Sequence, residues 1–152
     1  MADVPYANAS SGAAAREEIT KLLRRIGCDR IGFMDEYSTS SLLLAFEHHG
    51  RPVQMRASAK GWAAWFLREN PWTTARRSTK AQWETKALAQ GMIAINSILR
   101  DWCKGQVTAI ECGMMPAEAA FLAHMLTKQG VTVLEAITEA KLLPAPPKDA
   151  AP

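Results

Sequence analysis

Along residues 13–27, AAAREEITKLLRRIG, apolar side chains recur at Ile19, Leu22, Leu23 and Ile26. Spacings of three and four line one face of an α-helix. Glu17 and Glu18 near its start and Arg24 and Arg25 near its end suit the helix dipole, and Gly27 supplies a C-terminal stop. The period then falls to two. Ile31 and Phe33 alternate with Arg30, Gly32 and Met34, and after the polar turn DEYSTS, Leu42, Leu44 and Phe46 alternate with Leu43, Ala45 and Glu47. After HHGR, Val53 and Met55 alternate with Gln54 and Arg56. Three short alternating runs joined by polar turns predict an antiparallel meander with one apolar face, and Asp35, Glu36, His48 and His49 fall at its turns.

Helical spacing resumes near residue 59. Trp62, Trp65 and Phe66 share a face of a short helix that Pro71 ends, and residues 70–78 read as a loop. Thr79 with Gln82 three positions on forms a capping box for the longest helix, about 80–103. Its stripe of Leu88, Met92, Ile95, Leu99 and Trp102 predicts the spine of the core, and Ile93 and Ile98 widen that stripe. Gly105 is expected to stop it. Pro116 with Glu118 opens a helix running to Gln129, with Phe121, Leu122, Met125 and Leu126 inward, and Gly130 follows it. Thr132 with Glu135 caps a last short helix to about Lys141.

The predicted class is α+β: an N-terminal helix, a three-stranded antiparallel β-meander, then a helical C-terminal half with one long central helix. Residues 13–143 form a single domain. Residues 1–12, small and polar, and residues 144–152, rich in proline and alanine, are expected to stay flexible. A chain of 152 residues that is 48% apolar and 22% charged is an ordinary globular protein with one core. No apolar run approaches the roughly 20 residues that cross a bilayer, and MADVPYANASSGAAA lacks the pattern of a signal peptide. A cytoplasmic location without a membrane partner is the expectation. Cys28, Cys103 and Cys112 are an odd number without a C-x-x-C pair, which suggests free thiols in place of a disulfide framework or zinc site.

Charge changes the picture. Residues 1–50 and 105–152 each carry a balance of −2, whereas residues 51–104 hold ten Lys/Arg against three acids, a balance of +7. All five tryptophans (Trp62, Trp65, Trp72, Trp83 and Trp102) lie in that same middle third. Surfaces for single-stranded nucleic acid combine cations that replace phosphate counterions with aromatic faces on which bases stack. The candidate set is Arg51, Arg56, Lys60, Arg68, Trp72, Arg76, Arg77, Lys80 and Trp83. Trp72 beside Pro71 is the leading stacking residue, while Trp62, Trp65 and Trp102 follow helical stripes into the core.

Catalytic chemistry finds no comparable support. Asp35–Glu36 with Glu47 or Asp29 lacks the lysine and strand signature of a metal-dependent nuclease, and a hairpin turn ordinarily contains such residues. His48 and His49 have no third metal ligand at a telling spacing, and His124 reads as a partly buried structural histidine. Neither Cys103 nor Cys112 has a recognisable activating partner, and no G-x-x-x-x-G-K loop occurs. An enzyme is not expected, and no metal or cofactor is implied.

The chain resembles a family of small phage and prophage proteins across about residues 14–145. The resemblance rests on the N-terminal helix, the hairpin ending in Gly50 and Arg51, and the basic loop with Arg76 and Arg77 before a helix carrying Trp83. It rests most on FLAHMLTKQGVTVLEAI and the tail LLPA. The helix carrying Trp83 is less basic here than is expected of that family. The resemblance implies a phage context, the cytoplasm of a bacterial host, and a role in replication or recombination. The resulting expectation is a non-catalytic single-stranded DNA-binding or annealing accessory protein, oligomeric through the open edges of its meander. The alternative is an interaction module, an inhibitor or adaptor whose tryptophans and arginines anchor a host or virion protein.

Overall fold

The structure, a computed structural model, describes residues 2–149. Helix α1 (Gly12–Arg25) leads into strands β1 (Cys28–Glu36), β2 (Ser41–His48) and β3 (Arg51–Ser58). Helices α2 (Lys60–Glu69), α3 (Lys80–Glu111), α4 (Ala117–Phe121) and α5 (Val133–Glu139) follow, with a 3-10 turn at Leu122–His124 before the last. This is the predicted α+β arrangement. The sheet is an antiparallel meander in the order β1-β2-β3. Its register pairs Phe33 with Leu44 and Leu44 with Met55, and Phe46 with Val53. Leu42, Leu44, Phe46, Val53 and Met55 are buried while Arg56 is exposed, so the period-two reading of the inward face holds. At the β2–β3 turn both His49 (φ 50°) and Gly50 (φ 76°) have positive φ. That pair is what a tight hairpin needs to match strand twist.

Helix α1 begins where the Ser11 side chain accepts the Ala14 N–H, and it ends before Gly27 at φ 84°. Its apolar face, Ile19, Leu22 and Leu23, packs with the sheet and with Ile95, Leu99, Cys103 and Val107 of α3 around one core. Phe121 closes that core edge-on to Phe46, with ring centroids 5.3 Å apart. Between α1, β1 and α3, Arg16 donates to Asn96 Oδ1 at 2.8 Å and pairs with Asp35 at 2.5 Å. A second cluster lies toward the N-terminal part of α3: Val4, Trp62, Ala63, Phe66, Trp83, Ala87 and Ala94. There α2 approaches α3 so closely that a Cβ on Gly91 would lie 3.0 Å from the Ala59 carbonyl oxygen.

Four expectations need correction. Helix α3 continues past Gly105 to Glu111, because buried Cys103, Val107 and Ala109 supply packing that outweighs the cost of an exposed helical glycine, about 1 kcal/mol. The helix from Pro116 stops at Phe121 rather than Gln129, and Leu122, expected inward, is 51% exposed in the 3-10 turn that follows. The Leu126 N–H is taken by the Pro52 carbonyl at 2.9 Å, and Met125 bridges Val53 while Leu126 bridges Thr132, so the edge of β3 competes for this segment. Trp65 is 38% exposed, not core. The early residues expected to be flexible are packed: Val4 is buried, the Pro5 carbonyl accepts the Trp62 indole N–H at 2.9 Å, and Gln90 donates to the Ala9 carbonyl at 2.9 Å. Residues 144–149 are exposed, and the remainder of the tail, 150–152, lies outside the described residues. No helix of the described residues is long and apolar enough to cross a membrane.

Candidate nucleic-acid interface

The α2–α3 connection folds around two indoles that the sequence offered as ligand contacts. Asn70, buried after the last turn of α2, accepts the Trp83 indole N–H on its carbonyl at 2.9 Å. Its side-chain amide donates to the Ala2 and Phe66 carbonyls at 3.2 and 3.4 Å. Trp83 is itself buried, with its ring centroid 5.7 Å from that of Phe66. The half-buried Trp72 donates its indole N–H to the Ser78 carbonyl at 2.7 Å, closing the loop back onto itself. Buried indoles satisfy the N–H locally, and a loop with free carbonyls is where acceptors are found. Neither ring is an open stacking platform. Trp72 packs half-buried against the second cluster, and Trp83 serves as the floor of the corner.

Arg76 lies on that floor. Its guanidinium carbon sits 3.8 Å from the Trp83 ring centroid, and its Nε donates to the Pro71 carbonyl at 3.2 Å. Stacking holds the guanidinium plane in place at little further entropic cost, and a planar cation can itself stack on a base. Arg68 at the end of α2, Arg77 in the loop and Lys80 at the start of α3 are exposed. Lys86, outside the predicted set, places its Nζ 5.7 Å from the same indole.

The 32-residue helix α3 starts at this corner. The Thr79 side chain accepts the Gln82 N–H at 3.1 Å, and the Gln82 side chain accepts the Thr79 N–H at 2.9 Å, completing the predicted capping box. Its first turn contains no acidic residue, so the positive end of the helix dipole adds to the surrounding cations.

The remaining predicted residues lie elsewhere. Arg51 pairs with Glu118 at 3.6 Å by α4, at the end of the sheet remote from the α2–α3 corner. Arg56 pairs with Glu36 across the outer face of the sheet. Lys60 begins α2, eight residues and so about 12 Å before Arg68. Five of the nine predicted residues (Arg68, Trp72, Arg76, Arg77 and Lys80) therefore surround the corner, with Trp83 beneath them. Elsewhere six of the other seven arginines (Arg16, Arg25, Arg30, Arg51, Arg56 and Arg100) meet a carboxylate, as does Lys21, whereas among the described residues Arg24, Lys60, Lys104, Lys128, Lys141 and Lys148 make no salt bridge. Asp35 and Glu36 are thereby engaged by Arg16 and Arg56.

The histidines and thiols take structural positions. His48 is buried, in hydrogen-bonding contact with the Ile26 carbonyl at 3.1 Å, and its ring stacks on His49 at 4.0 Å. Burial lowers its pKa. Burial likewise lowers that of His124, which meets Trp102 edge-on at 5.8 Å. Burial pushes the thiols of Cys28 and Cys103 up to about 11 and about 12, while Cys112 is exposed. Among the described residues no group of three or more His, Cys, Asp or Glu side chains could hold a metal ion. No protein-family model, curated protein or solved structure matches the chain.

Proposed function

We propose that the protein is a non-catalytic accessory protein that binds single-stranded nucleic acid through the α2–α3 corner. One observation carries the reading. Among the described residues Arg68, Arg76 and Arg77 make no salt bridge, whereas six of the other seven arginines do, and Lys80 and Lys86 beside them are likewise without a carboxylate. Surface arginines left without carboxylates, around a helix start lacking acids, favour a polyanion as partner. Arg76 on Trp83 offers the stacking plane, and Arg68, Arg77, Lys80 and Lys86 the phosphate contacts. The resemblance to phage and prophage proteins supports a replication or recombination context.

The test is fluorescence anisotropy with a labelled thirty-nucleotide strand. Four phosphate contacts on a single strand give a log–log salt slope of about −2.8, hence a loss of affinity of about fifty-fold between 50 and 200 mM salt. Arg77→Ala with Lys80→Ala should roughly halve this slope, to about −1.4, whereas Arg51→Ala should leave affinity unchanged. Absence of binding at low salt, or equal sensitivity to Arg51→Ala, overturns the proposal.

A further inference from the structure

Away from the cationic corner, β3, α2, α3 and the 3-10 turn enclose an open cleft of about 510 Å³. Met55, Trp62, Trp65, Ile98, Trp102 and His124 are among its walls. Trp65 and Ile98, each 38% exposed, adjoin in this one cleft, so their exposed apolar surface forms a shared patch. The indoles divide into two kinds. Those of Trp62, Trp72 and Trp83 donate to the carbonyls of Pro5, Ser78 and Asn70. Among the described residues the Trp65 and Trp102 indoles have no protein acceptor, and both residues line the cleft. An apolar slot lined by two indoles whose N–H groups are unspent suits a peptide whose carbonyls are free. A helix has spent its carbonyls internally, whereas a polyproline II segment has none engaged, and aromatic-lined grooves are where such segments dock.

The chain contains such a segment. Residues 142–147 read Leu-Leu-Pro-Ala-Pro-Pro, and Leu142 and Leu143 are 71% and 63% exposed. The segment leaves from the end of α5, which starts where the Val133 N–H meets the Met125 carbonyl at 2.9 Å, one residue beyond His124 at the cleft. Tail and cleft thus lie on neighbouring parts of the surface. Three prolines in the last four positions resist a tight return of the tail onto its own body, and in the single chain residues 140–149 are all exposed.

We infer that the cleft receives the 142–147 segment of a second copy of this chain, so that two copies exchange tails reciprocally. Six residues in polyproline II span about 19 Å, enough to lay the two leucines and the first proline along Trp65, Ile98 and Trp102. Two equivalent tail-to-cleft contacts close a two-fold dimer and reinforce one another through effective concentration. The inference does not depend on nucleic-acid binding.

Sedimentation equilibrium of the full chain over low- to high-micromolar concentrations tests it. The wild-type chain should dimerise reversibly. Trp65→Ser in the cleft, and separately Leu142→Asp with Leu143→Asp in the tail, should each weaken dimerisation by about tenfold or more, the scale of a lost anchor residue. An equimolar mixture of the two variants should associate more strongly than either alone, since one intact cleft then meets one intact tail. A synthetic peptide of residues 140–149, added to the tail variant, should shift the tryptophan emission, and circular dichroism confirms that both variants remain folded. A monomer at every concentration overturns the inference, as does a dimer indifferent to the tail change. Tail-dependent protection of Trp65 that is independent of concentration would place the tail in its own cleft and overturn the exchange.

Discussion

Replacing Trp83 by phenylalanine separates a structural indole from a ligand-binding one. The substitution removes the N–H that the Asn70 carbonyl accepts at 2.9 Å, in a buried site where the described residues offer that oxygen no other donor. An orphaned buried carbonyl costs about 1–3 kcal/mol. The smaller ring leaves about 40 Å³ of side-chain volume unfilled, and at 24 cal/mol per Å³ that adds roughly 1 kcal/mol. The stack beneath the Arg76 guanidinium, now 3.8 Å from the ring centroid, survives on a weaker π-face, a loss of a few tenths. The total is about 2–4 kcal/mol, which for a chain of this length lowers the melting temperature by roughly 5–15 °C.

Urea denaturation followed by circular dichroism measures that loss without relying on the altered fluorophore. At a temperature where the variant is fully folded, its affinity for the single strand should fall by less than about threefold, because the buried ring reaches a ligand only through Arg76. Arg76→Ala should show the opposite pattern: little change in stability and a clear loss of binding. An unchanged melting curve combined with a large loss of affinity for Trp83→Phe would refute the structural assignment of this ring.

Three further outcomes follow from the packing. Phe121→Ala, which empties a fully buried site beside Phe46 and Trp102, should cost about 3–5 kcal/mol in the same denaturation assay. Stability should decline as pH falls through the ordinary histidine range, because burial lowers the pKa of both His48 and His124 and the unfolded chain then binds more protons. His48→Gln with His124→Gln should flatten that decline. A thiol-reactive chromophore should modify Cys112 promptly in the native protein, while Cys28 and Cys103, buried and pushed up to about 11 and about 12, should react only on unfolding.

The elements most legible in the sequence were those whose pattern and end signals agreed. Helix α1 has a clear stripe and Gly27, the hairpins have alternation and polar turns, and α3 begins with both partners of its capping box. Legibility failed where a distant partner decided the outcome. The segment from Leu122 to Gln129 has helical spacing, yet the carbonyl of Pro52 captures the Leu126 N–H, and no local signal marks that competition. Gly105 read as a stop because its sequence does not reveal that the flanking turns are packed on the core. Val4 looked like part of a loose polar end, although the Trp62 indole needs the carbonyl of Pro5 as acceptor.

The charge map was legible as a density and not as a surface. Ten cations in one third of the chain include Arg51 and Arg56, which pair with Glu118 and Glu36, and a contiguous group around the α2–α3 corner that makes no salt bridge among the described residues. Counting charges cannot separate these, because the acids that engage the first two come from α4 and from the end of β1. The tryptophans divide by the same logic. Periodicity put Trp65 with Trp62 and Phe66, since a stripe says which side chains share a face but not how wide the covering neighbour is. Helix α3 covers Trp62 and Phe66, and it leaves Trp65 at the lip of the cleft with Ile98. What distinguishes the rings is where each indole N–H is spent: on the chain's own carbonyls for Trp62, Trp72 and Trp83, and, among the described residues, on none for Trp65 and Trp102. The two rings with an unused donor are therefore the ones to test against a peptide, and the guanidinium stacked on Trp83 is the group to test against a base.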